Sequence, residues 1–161
     1  MNRALLAFAL LFSGLLAGGN VDRAAVAMPA WQIVGATGWA DFSRHADLGN
    51  GLVLYPIEAF GGALFALAAA IGFQFDRDAL ASVKVLLYAS VVLAAGGLLL
   101  TFEAAPIMLG IRDVADPAAL GRAFDGFWFW GNLRAICQVL AFVAQLVALA
   151  IWLLREREWD Y

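Results

Sequence analysis

The chain has 161 residues, 64% of them hydrophobic and only 14% charged, and its mean hydropathy is +0.83. Soluble domains carry nearer a quarter charged residues, so this composition specifies an integral membrane protein. The net charge of −3, from 10 basic and 13 acidic residues scattered along the chain, excludes a nucleic-acid partner and a polybasic lipid-binding patch.

Four spans of about 20 residues fit, and no soluble domain fits beside them. The first predicted span covers residues 4–28. Its opening run after Arg3 has the look of a signal peptide, but Ala17-Gly18-Gly19 is no A-x-A cleavage site, and the helical pattern continues through Asp22-Arg23 to Met28. We therefore expect a retained helix. Residues 29–49 mix Trp31, Trp39 and Phe42 with Asp41, Arg44, His45 and Asp47, which suits an interfacial helix or cap at headgroup level. The second span covers residues 50–73, with Pro56 in its first two turns, where a missing amide is tolerated. The third covers 80–109, past Pro106. The fourth covers 127–154 and opens on the aromatic belt Phe127-Trp128-Phe129-Trp130. The expected fold class is thus all-α: an integral membrane four-helix bundle, one domain over residues 1–161, with an interfacial segment between helices 1 and 2.

Orientation follows from the basic residues. With the N-terminus inside, Arg3, Arg77, Lys84, Arg155 and Arg157 are cytoplasmic, against Arg44, Arg112 and Arg122 outside. This bias places both termini in the cytoplasm, and a bacterial inner membrane is the expected location.

Cys137 is the only cysteine and His45 the only histidine. They exclude an intrachain disulfide, a CxxC redox centre and a haem held between two histidines of this chain. A carboxylate metal site would combine Glu58, Glu103 and His45, but no E-x-x-H spacing supports it. No metal or cofactor is expected.

Five ionisable residues fall inside the spans: Asp22, Arg23, Glu58, Glu103 and Arg134. Intramembrane charges are costly, rare, usually paired and often functional. At about 1.5 Å per helical residue, Asp22 lies roughly 26 Å along the first span, Glu58 about 12 Å into the second, and Arg134 about 10 Å into the fourth. Glu103 lies roughly 28 Å beyond Lys84, so all five converge on the outer half. Arg134, Gln138, Ala141 and Gln145 share a face of the last helix; Tyr55, Glu58, Gly61 and Gly62 share one of the second. Gly14-xxx-Gly18 forms a close-packing seam on the first. Glu58 with Arg134 is the expected ion pair. One reading is that these charges only lock the helices together. The other starts from the count of three acids against two arginines, which leaves one carboxyl group to act as an acid or base.

Two stretches carry a family resemblance: Ala17-Gly18-Gly19 through Met28-Pro29-Ala30, and Glu103-Ala104-Ala105-Pro106-Ile107-Met108 followed by Trp128-Phe129-Trp130-Gly131-Asn132-Leu133-Arg134. Their order resembles the anthrone-oxygenase-like family of small four-helix membrane proteins, with Pro106, Trp128, Asn132 and Arg134 in the recurring positions. The resemblance implies oxidation of an anthrone to an anthraquinone without a cofactor. A carboxylate would remove the methylene proton and an arginine would stabilise the oxyanion. On that reading Glu103, Glu58 and Arg134 are the catalytic candidates. Asp22, Arg23, Tyr55, Trp128, Trp130, Asn132 and Gln138 line the pocket for an apolar small molecule. Two other classes stay open: an accessory subunit touching other membrane chains or a second copy, and a binder of a lipid, quinone or pigment.

Overall fold

The computed structural model describes residues 2–158, with side chains through residue 155, so Arg157 of the basic-residue count lies outside the described side chains. The described residues are almost entirely helical. Helix α1 (Asn2–Asp22) passes through a π-helical turn, Arg23–Ala27, into α2 (Met28–His45). A second π-helical turn, Ala46–Asn50, leads into α3 (Gly51–Gln74), followed by α4 (Ala81–Gly110) and α5 (Pro117–Glu158). Three helical runs are long and apolar enough to cross a membrane: Asn2–Gln74, Ala81–Gly110 and Pro117–Arg155. That is one fewer than the four spans expected, because helical hydrogen bonding continues from α1 through α2 into α3. Pro29 does not end this run; it sits in the first turn of α2, where no amide partner is needed.

The first run nevertheless doubles back. Gly35 has φ 80° and ψ 161°, which breaks α2 into two short helical arms, and Gly49 is also non-helical. Only glycine adopts such a positive φ without strain. Helices α1 and α3 consequently lie side by side and antiparallel. Phe8 and Phe12 stack on Phe65 at 5.2 and 5.6 Å, and the Asn2 side chain donates to Gly72 O at 3.2 Å. The fit is close at Gly61 and Gly62: a Cβ on Gly61 would stand 2.9 Å from the Phe12 ring, and one on Gly62 would touch the Ser13 backbone at 3.5 Å. The expected seam is only half present. Gly14 packs against Phe142, but Gly18 faces open space.

Helices α4 and α5 pack along their length, and Gly97 makes room for Gln138, whose Cγ would lie 2.9 Å from an added Cβ. The α5 helix starts ten residues before the expected 127. Asp116 caps it, accepting from the amides of Ala118 and Ala119 at 3.2 and 3.1 Å, and Pro117 fits the first helical position. Two apolar clusters result. Leu6, Ala69, Phe73, Val83, Leu87 and Ala148 fill the end near the N-terminus. Met28, Trp39, Ala104, Met108, Ile111, Leu120, Phe124 and Phe127 fill the other end, beneath α2. Helix α2 therefore serves as a cap. Arg44 fastens it to the end of α4, donating to the carbonyls of Ile111, Arg112 and Val114 at 3.1, 2.9 and 2.6 Å. A cation on the free carbonyls of a helix C-terminus is favourable both as hydrogen bonding and against the helix dipole.

Candidate functional site

The capped end holds the cluster that matters. Arg23, in the first π turn, forms an ion pair and hydrogen bond with Asp47, in the second. The Asp47 side chain is only 4% exposed. Two residues 24 apart in sequence thus meet at the two ends of the cap and close its base. The Tyr55 hydroxyl stands 3.5 Å from Asp47 Oδ1, and the Arg23 guanidinium lies over the rings of Tyr55 and Phe127, at 5.5 and 5.3 Å from their centroids. Arg134 addresses the same Phe127 ring at 5.9 Å. Such stacking stabilises a guanidinium without neutralising it.

The charge balance is the reverse of the one expected. Among the described residues Arg134 has neither an ion pair nor a hydrogen bond, so the Glu58–Arg134 pair does not form. Glu58 is half-buried and unpaired, while Asp22 and Glu103 are exposed on the outside of their helices. Arg23 and Arg134 do meet, on the Phe127 ring, but depth along a helix carries no information about azimuth. The neutralising carboxylate is Asp47, from the segment expected to lie at the interface. Two arginines therefore share one acid, and the spare group is a cation.

Below this cluster a polar ladder joins α1 to α5. The Asn20 amide donates to Gln138 Oε1 at 2.5 Å and to Leu16 O at 2.8 Å, and Ser13 reaches Gln145 Oε1 at 2.7 Å. Gln138 is thus a helix-joining residue, and the face it shares with Ala141 and Gln145 is buried as the spacing implied. Sequence reasoning missed Asn20 and Asp47. An amide two residues before Asp22, and an acid eight residues after Trp39, were the available signals.

A shallow recess opens beside Arg23, lined by Asn20, Met28, Phe127, Trp128 and Asn132 among others. Trp128 and Asn132 stand where the pocket was expected, Trp128 half-exposed at its rim. Trp130 turns instead onto the apolar cluster under the cap, edge-on to Phe129 at 5.1 Å. Four buried polar atoms of the cap have no hydrogen-bond partner: Trp31 Nε1, Trp39 Nε1, Ser43 Oγ and Asp47 Oδ2. No group of three or more metal-ligating side chains occurs among the described residues. The chain matches no protein-family model, no curated protein and no solved structure.

Proposed function

We propose that this is a four-span membrane protein, with α1, α3, α4 and α5 each crossing the bilayer and both termini in the cytoplasm. Its capped end binds a flat, apolar small molecule through an oxyanion. The observation that carries this reading is the unpaired Arg134 beside the Arg23–Asp47 pair. A surplus cation in an apolar setting costs several kcal/mol, and an anionic ligand offsets that cost. The recess is far smaller than the roughly 300–1,000 Å³ of sites that enclose a drug-sized ligand. It suits a polar head, with the rest of the molecule against Trp128 and the lipid.

The resemblance to anthrone oxygenases supplies a concrete substrate class. Anthrone loses a methylene proton to give an enolate, the kind of anion that Arg23 and Arg134 would hold. No carboxylate lines the recess, so in this reading the methylene proton passes to water at its mouth and not to Glu103 or Glu58. The electron-rich ring then reacts with dioxygen, giving anthraquinone and water with no protein redox group.

Purified protein in mild detergent, titrated with anthrone under argon, tests the binding. We expect the absorbance of the enolate to appear on binding, anthracene to bind at least tenfold more weakly, and Arg134→Leu to abolish the difference. Equal binding of anthrone and anthracene, unchanged by Arg134→Leu, would overturn the proposal. Admitting air then tests turnover, read as anthraquinone formed.

A further inference from the structure

A second opening lies deeper, away from the two arginines. Between α3 and α4 a narrow groove is walled by Ala59, Ala63 and Ala94, all half-buried. Its floor is Ser13, Gln138 and Gln145, contributed by α1 and α5. In the membrane arrangement proposed above, the mouth of this groove faces lipid tails, yet its floor is polar. Small side chains alone would mean only close packing; the floor adds a different fact.

Gln145 is fully buried, and its Nε2 has no hydrogen-bond partner. Its Oε1 lies 2.7 Å from the Ser13 hydroxyl, which lies 2.6 Å from Ala9 O as well. A hydroxyl has one proton and can donate to only one of these acceptors. If Ser13 donates to Ala9, the Gln145 amide gains by turning over, so that Nε2 donates to Ser13 Oγ and Oε1 is left free. In either orientation one amide atom remains unsatisfied at the floor of the groove: a donor in one case, an acceptor in the other. A buried polar group without a partner is costly in an apolar interior, and a ligand atom that satisfies it gains accordingly.

We infer that this groove is a second binding site, for a quinone-type head group taken laterally from the bilayer. The groove itself has room for a single ligand oxygen, so a carbonyl enters it while the flat ring rests at the mouth, against Ala63 and Ala94. The Gln145 amide offers N–H to a ring carbonyl, or C=O to the hydroxyl of the reduced form. The site contains no charge among its lining residues, so it selects a neutral ligand, whereas the capped end selects an anion.

The two sites share a wall. Asn20 lines the recess and Gln138 lines the groove, and the hydrogen bond between them separates the two. The experiment is a titration of the full chain in detergent with a short-chain ubiquinone analogue, followed by tryptophan quenching. Ala63→Leu fills the groove from its wall without touching the polar floor, and is expected to weaken binding tenfold or more. Gln145→Leu keeps the volume and removes the amide, with an expected loss of three- to tenfold. Arg134→Leu should leave quinone binding unchanged, which separates this site from the anion site whether or not that proposal survives. Quinone binding that withstands Ala63→Leu, no quinone binding at all, or binding lost only in Arg134→Leu would each overturn the inference. Should Gln145→Leu fail to fold, Ala63→Leu alone decides.

Discussion

The two ends of the molecule solve the same packing problem in opposite ways. At the end near the N-terminus, Phe73 is fully buried and meets Trp152 edge-on at 5.1 Å, and Asn2 ties α1 to Gly72 and Asp76. No buried side-chain polar atom lacks a partner there among the described residues. At the capped end the chain carries two π turns, a glycine at positive φ, an unpaired arginine and four orphaned polar atoms. The π-helical turn is rare and tends to occur at functional sites. Polar groups retained at a cost to stability mark the end where something other than stability is served.

The comparison can be broken in four places. Arg23→Leu should have the largest effect, because it leaves Asp47 buried and charged without its partner; breaking such a pair costs about 3–5 kcal/mol. Arg23→Leu with Asp47→Leu should recover most of that loss, as read by unfolding in detergent. If the double variant is as unstable as the sum of the singles, the pair does not hold the cap. Phe73→Ala should cost about 3 kcal/mol as a large-to-small change in a dry core. It should leave anthrone binding within twofold, and a larger change would show that the ends are coupled.

Arg44→Ala removes the bonds to three carbonyls at the end of α4, and at about 2 kcal/mol it should rank next. Its signature is local: amide exchange should rise in α2 and in residues 111–116, with little change in α1. Uniform exchange across the chain would mean the cap folds as one unit with the bundle. Ser13→Ala should be the mildest, since hydrogen bonds between membrane helices average about 0.6 kcal/mol. A loss above 2 kcal/mol would show the α1–α5 ladder to be a main determinant of the fold.

What the sequence made legible follows from what periodicity measures. The buried face carrying Gln138, Ala141 and Gln145 was readable, because spacing of three and four places residues on one side of a helix. That Arg23 and Arg134 lie in one layer was readable from depth. The partner of Arg134 was not, because the rotation of each helix about its axis depends on packing that spacing does not encode. Asp47 was hidden for another reason. Its stretch reads as polar interface, and only the bend at Gly35 folds the second arm back so that Trp39, Ser43 and Asp47 turn inward. The start of α5 is written in the sequence ten residues ahead of the aromatic belt at 127: Asp116 followed by Pro117 is a helix-opening pair.

The two π turns have a consequence for the lineage of this chain. A π turn spans one residue more than the α-helical turn it replaces, so each behaves as a single-residue insertion held within a helix. Losing one residue from Arg23–Ala27 would restore plain α-helix while everything beyond it keeps its face, because the wide turn already absorbs the extra residue. The same loss within the plain helix of α1 would rotate everything beyond it by about 100°, and Arg23 would no longer meet Asp47. Among diverged homologues, one-residue gaps are therefore expected at Arg23–Ala27 and Ala46–Asn50 sooner than in the helices they join.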